Sequence, residues 1–148
     1  MAVLVQPNMM GALITRLRSF SEITALVGTS PPRVASEFKR AWTPAMPTYA
    51  IRLNRAGGRP SQIDSFRKLS RVDVFCYGPD ITRADMLMEI VEPALCPGAA
   101  AANGFVQSGC VFFGIEPETD AIVTLDPDTK WPYAWMPFIV DWSVVPVP

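Results

Sequence analysis

Between residues 69 and 95 a two-residue hydrophobic period gives way, almost without a connecting loop, to a helical one, and this change limits how the whole chain can pack. Across residues 70–77, Val72, Val74 and Cys76 alternate with Arg71, Asp73, Phe75 and Tyr77, the pattern of a pleated strand with one buried face. Gly78-Pro79 breaks the strand. Thr82 with Asp85 approximates a capping box, and Pro79 and Asp80 also suit a helix entrance. Ala84, Leu87, Met88, Val91, Ala94 and Leu95 then recur at helical spacing, so the helix carries an apolar stripe that the sheet containing the strand must cover. Pro93 is expected to kink this helix or end it a turn early.

The flanking segments supply the other layers. Asn8 is placed to cap a first helix in which Met9, Met10, Leu13, Ile14, Leu17 and Phe20 share a face, with Arg16 and Arg18 on or near the polar side. Ser21 is expected to cap a short second helix that Gly28 ends. Residues 29–47, broken by Pro31, Pro32, Pro44 and Pro47, read as an extended loop with room for one short strand. Residues 48–54 alternate Tyr49, Ile51 and Leu53 with Ala50, Arg52 and Asn54, a second strand. The glycine-containing stretch 55–67 is too long for a tight hairpin turn and is expected to project as a mobile arm. Residues 97–104 are a small-residue linker. Residues 105–116 read as a third long strand with a bulge or close approach at Gly109, and 117–132 as an acidic loop. A final strand, 133–145, presents Met136, Phe138, Val140, Trp142 and Val144 on one face; Pro137 favours an edge or a bulge. The expected fold class is α+β, a mostly antiparallel four-stranded sheet with helices packed on one face, in a single domain spanning residues 1–148.

Composition narrows the chemistry. Histidine is absent, which removes the usual general base near neutral pH and the commonest metal ligand. Cys76, Cys96 and Cys110 have no CxxC spacing and read as free thiols of a reducing cytosol, and Cys76 reads as a small core residue. Asp126-Pro127-Asp128 supplies only the first pair of a calcium loop before the chain turns basic at Lys130. Gly57-Gly58 lacks the frame of a phosphate loop. No catalytic residue, cofactor or metal is therefore expected, and no segment reaches the ~18 apolar residues of a membrane span. A net charge of −1 gives no broad field toward nucleic acid or membranes.

Local charge is more informative. Arg52, Arg55, Arg59, Arg67, Lys68 and Arg71 against Asp64 give the arm and its strand ends a net +5, whereas Glu116, Glu118, Asp120, Asp126 and Asp128 against Lys130 give the late loop −4. Two solvated, screened loops are one reading. Another is a head-to-tail ring in which the arm of one copy, through Arg55, Arg59 and Arg67, meets the acidic loop of the next, through Glu116, Glu118, Asp126 and Asp128. Nucleic-acid binding by the arm is the runner-up to the ring, weakened by the absence of aromatic residues interleaved with the arginines, Phe66 excepted. Trp131, Tyr133 and Trp135 lead into the last strand opposite Met136 and Phe138; with one face required for the core, Trp131 and Trp135 are candidate interface anchors.

The order of these signatures resembles a known family. The helix ending near Ile23-Thr-Ala-Leu-Val-Gly28, the Arg33-Val34 pair, Pro47-Thr-Tyr-Ala-Ile51, Arg71-Val-Asp-Val-Phe-Cys-Tyr77 leading into the helix from Ala84, and Phe138-Ile-Val-Asp-Trp142 together resemble the tail terminator, or tail-completion, proteins of long-tailed bacteriophages and related particles. The proline-rich 29–47 segment and the acidic loop with Trp131-Pro132 are longer than the family's minimum. What the resemblance implies is a structural virion protein and not an enzyme. It would form a homohexameric ring on the head-proximal end of the tail tube, stop tube polymerisation and join the tail to the head connector. Its partners would be the tail tube protein and a head-completion or connector protein, with DNA passing through the lumen and no membrane involved. It would be assembled in the host cytoplasm and reside in the virion neck. A head-completion or other neck protein is the nearer alternative; a small ligand-binding or enzymatic domain using Arg71, Asp73 and Tyr77 on the open strand face is the more distant one.

Overall fold

The computed structural model describes residues 8–37, 39, 42, 48–60, 67–97 and 104–144, with the side chains of 58–60 left outside the description. Helix α1, Met9–Arg18, begins where expected: the Asn8 side chain accepts from the Met10 N–H (2.9 Å) and the Gly11 N–H (3.3 Å). It buries Met9, Ala12, Leu13 and Leu17. Helix α2, Ser21–Val27, is capped by Phe20 without a side-chain hydrogen bond, so Ser21 is the first helical residue and not the cap. Gly28, at φ +90°, ends it in the left-handed region that glycine adopts without strain.

The short strand allowed for in the proline-rich segment is β1, Val34–Ala35, which runs parallel to β2, Ala50–Pro60. Strand β2 is longer than expected. It pairs antiparallel with β3, Lys68–Tyr77, from Ala50↔Tyr77 to Pro60↔Lys68, with a register shift between Arg55 and Gly58. The first half of the expected arm is therefore ribbon; residues 61–66 lie outside the described residues. Gly57, at φ +101°, sits in the shift, where the extra residues of a bulge need such a conformation.

Helix α3, Ile81–Leu95, follows at once. Asp80, not Thr82, is its cap, accepting from the Arg83 N–H at 2.8 Å. Pro93 lies inside the last turn and does not end the helix, which continues until the Cys96 N–H bonds the Glu92 carbonyl at 2.7 Å. A side chain at Gly78 would collide with the backbone of Ala84, its Cβ only 2.7 Å from the Ala84 nitrogen, which is why strand and helix can be joined so tightly there.

The expected long third strand is a hairpin. Strand β4, Phe105–Gln107, turns through Ser108 (φ +50°) and Gly109 (φ +80°) into β5, Cys110–Pro117, a two-residue turn with both φ positive. The bulge lies further on, between Phe112 and Gly114, so Cys110, Phe112 and Ile115 share the buried face while Phe113 turns outward. The acidic loop also contains a strand, β6, Ile122–Leu125.

Strand β7, Pro132–Val144, is the axis of the sheet. One edge pairs with β3 along its length; the other pairs with β6 over 132–135 and with β5 over 138–144. Pro137 is thus in a central strand, not at an edge. Its carbonyl accepts from the Glu118 N–H (2.8 Å), and the reciprocal donor that proline lacks falls where β5 departs and β6 has yet to begin. Instead of four antiparallel strands, the fold is α+β with a seven-stranded mixed sheet, ordered β1-β2-β3-β7-β5-β4 with β6 beside β7. The helices cover the face carrying Ile51, Leu53, Val72, Val74, Cys76, Met136, Phe138 and Val140, as the alternation in the sequence requires.

Candidate functional site

The opposite face of the sheet holds the aromatic and charged side chains that the strand period turned away from the core. At one end it is closed. Tyr77 and Trp131, each 1% exposed, pack at 4.8 Å between ring centroids, with Trp42, Ala35 and Ala50 in the same buried cluster, and the Trp131 Nε1–H donates to the Gly78 carbonyl at 3.1 Å. Trp131 is therefore core and not an exposed anchor. Tyr77 does not belong to an open face either, and burial raises the pKa of its phenol above the ordinary value.

In the middle of the face, cross-strand register brings Arg52, Phe75 and Trp135 into one row. The Arg52 guanidinium lies 4.2 Å from the Phe75 ring centroid, and Phe75 in turn contacts Tyr133 (5.5 Å) and Trp135 (6.5 Å, stacked). Arg52 Nε and Trp135 Nε1 are buried without a hydrogen-bond partner. Trp135 is half-buried, and its neighbour on β6, Ile122, is 51% exposed. Periodicity placed Arg52 on this face but could not show that it covers Phe75, since that depends on the register between strands.

At the far end the charges of the two supposed projections meet within one copy. Arg71 lies 3.2 Å from Asp73 and 3.6 Å from Glu118. Arg67 forms a forked pair with Asp141, its Nε donating to Oδ1 at 3.1 Å and its Nη2 to Oδ2, while its guanidinium covers Phe113 at 4.0 Å. Among the described residues the one ion pair between the two sets of charge is Arg71 with Glu118, just past β5, reaching across β7; Arg67 pairs instead with Asp141 of β7 itself.

The remaining residues of interest are scattered. Arg55 is exposed, with Nη2 donating to Ser70 Oγ (3.3 Å) and its guanidinium 6.0 Å from the Trp142 ring. Arg59 belongs to β2 by its backbone, opposite Leu69, and its side chain lies outside the described residues. Glu116 and Asp128 are exposed. Asp126, near the closed end, accepts from the N–H groups of Asp128 (2.9 Å) and Thr129 (3.0 Å), a turn-closing role. Burial would raise its pKa, but those donors, the Thr129 side chain and the charge of Arg52 outweigh burial and hold it below the ordinary carboxylate value.

No constellation for catalysis forms from these groups. Burial raises the pKa of all three thiols, Cys96 to about 12, so they stand as protonated thiols at neutral pH. Cys76 lies against Met88, sulfur to sulfur 3.9 Å, inside the core. Among the described residues no group of three or more acidic or thiol side chains is gathered to hold a metal, and no helix is long and apolar enough to cross a membrane. What the surface offers is contact area: a half-buried aromatic row, exposed Ile122, and carboxylates beside it.

No protein-family model matches the sequence, and no curated protein does. Among solved structures, a chain of the virion of a native gene transfer agent particle shares the fold, with a TM-score of 0.63 over 91% of this chain and 94% of that one, at 16% sequence identity.

Proposed function

We infer that this chain is a structural virion protein of a phage-like particle, and more specifically a tail terminator that closes into a ring at the head-proximal end of a tail tube. The observation that carries this reading is the shared fold over nearly the full length of both chains with a component of a gene transfer agent virion. Its agreement with the order of signatures that resembles tail terminators, from the Arg33-Val34 pair to Phe138-Ile-Val-Asp-Trp142, supports the finer assignment. A chain without histidine, with raised thiol pKa values and with its aromatic and carboxylate side chains offered as surface, fits a part that works by contact and not by catalysis.

In the proposed ring the Arg55 and Arg59 end of the β2–β3 ribbon and the acidic side, with Glu116, Glu118, Asp126 and Asp128, serve subunit or tube contacts, and Trp135 is the aromatic anchor. Arg67 supports that ribbon end through its pair with Asp141. Head connector and tube occupy opposite rims, and DNA passes through the lumen without sequence-specific contacts.

The test is direct. Light scattering on the purified protein, followed by negative-stain microscopy after mixing with open-ended tail tubes, should give a ring of about six copies and tubes blocked at one end. A protein that stays monomeric and leaves tube growth unchanged would remove the terminator reading. One that binds head connectors but not tubes would move it to the head-completion role.

A further inference from the structure

The outer side of the helix layer carries a groove of about 370 Å³ between α2 and α3. It lies where the start of α2, Ser21–Val27, passes the last turns of α3. Phe20, Ile23, Ile90 and Pro93 line it, with Pro93 exposed and Ile90 half-covered, and Met86, 54% exposed one turn earlier on α3, extends the apolar strip. Glu22 and Glu89 stand on the two rims.

The two rims are acidic, although Arg16 of α1 lies against the groove, its Nε donating to the Ala94 carbonyl at 2.7 Å and its guanidinium 5.3 Å from the Phe20 ring and 3.6 Å from the Phe105 ring. Helices α2 and α3 carry Glu22, Asp85, Glu89 and Glu92 against one cation, Arg83, which turns back to Asp80 at 3.7 Å. Among the described residues neither Glu22 nor Glu89 is in ion-pair contact with a cation. Such a groove selects an occupant that combines aliphatic length with positive charge, the properties of a lysine or arginine side chain.

The chain itself presents that chemistry elsewhere. Arg67 and Arg71 are tied to Asp141, Asp73 and Glu118 of their own copy. Arg55 and Lys68, exposed side chains on neighbouring strands, both flank Trp142, at 6.0 Å and 5.4 Å from its ring, and neither has an ion-pair partner among the described residues. Because these cations and the groove carboxylates do not pair within one copy, their complementarity is available only between copies. On the acidic side Glu118 and Asp126 are engaged internally while Glu116 and Asp128 are unpaired among the described residues; what sets the groove apart is that its two carboxylates flank an apolar floor.

We propose that the α2–α3 groove receives the Arg55 and Lys68 end of the β2–β3 ribbon of a second copy of this chain. The contact is heterologous, donor surface to a different acceptor surface, and so generates a ring when its rotation closes. It rests on the ring reading above and names the surfaces that make it. Since the pairs are at a solvent-accessible rim, assembly weakens as salt rises.

Two full-length charge-reversal variants test it by light scattering and native mass measurement: Glu22→Lys with Glu89→Lys, and Arg55→Glu with Lys68→Glu. All four side chains are exposed, and thermal unfolding of each variant checks its fold. Each variant alone should lose the oligomer. An equimolar mixture should regain it, because reversed groove meets reversed ribbon, and native groove meets native ribbon, in alternation around an even-numbered ring. Folded variants that keep the wild-type mass, or a mixture that fails to reassemble, would overturn this contact while leaving the ring itself standing. A wild type that is monomeric throughout would overturn both.

Discussion

At the scale of single residues, the charges that looked interchangeable in the sequence differ in what they hold. Arg67 and Asp141 are 74 positions apart, each less than a third exposed, and joined by two hydrogen bonds over the Phe113 ring. Arg67→Ala should cost about 1–2 kcal/mol in urea unfolding, as expected for a charge-assisted pair, whereas Arg55→Ala should stay within about 0.5 kcal/mol. Equal effects would show that the forked pair contributes nothing beyond an ordinary surface arginine. Asp126 adds a dependence on pH. Its folded pKa is below the ordinary 3.8, so the folded state binds its proton less readily than the unfolded chain does. The stabilisation is complete above that ordinary value and is lost as pH falls through the lower, folded one. Asp126→Ala should therefore destabilise by about 1 kcal/mol at neutral pH, and the gap to wild type should shrink in acid. A gap that widened on acidification would reverse this sign.

At the scale of elements, the two departures from regular strands have opposite consequences. Phe113 occupies a bulge that resets the phase of β5, so it turns outward, 41% exposed, although Ile115 two residues on is buried. Pro137 ends a ladder without ending its strand. Because its missing N–H falls where β5 leaves β7, Pro137→Ala should change stability by less than about 1 kcal/mol. Ile139→Pro, two residues on and opposite Glu116, would remove a donor where β5 is still paired and should cost about 3 kcal/mol or more. Chemical denaturation of both variants checks the pair of expectations; similar losses would mean that the strand switch does not tolerate Pro137 for the reason given. Helix boundaries followed local chemistry more closely, with Asn8 and Gly28 read correctly and Ser21 and Thr82 displaced by Phe20 and Asp80 as the capping residues.

At the scale of the whole molecule, the sheet has one face under the helices and another divided among a closed aromatic end, a half-buried row around Phe75 and Trp135, and a charged end held by Arg71. Glu116 and Asp128 have no ion-pair partner among the described residues. Glu116→Gln with Asp128→Asn should leave stability within about 0.5 kcal/mol and reduce tube capping if the acidic side meets the tube. Unaltered capping would assign that side to solvent. The helices packed on one face of the sheet and the buried faces of β3 and β7 were legible in the sequence, because strand and helix periods report which side of an element is apolar. The centrality of β7, the burial of Trp131 and the pairing of Arg71 with Glu118 were not. Each depends on contacts between residues tens of positions apart: Trp131 reaches Gly78 across 53 positions, and Glu118 reaches Arg71 across the width of β7. Local period carries no information about which strands become neighbours. The sequence by itself determined which side chains leave the core; only the tertiary structure decided which of them find partners within the same copy and which remain available to another.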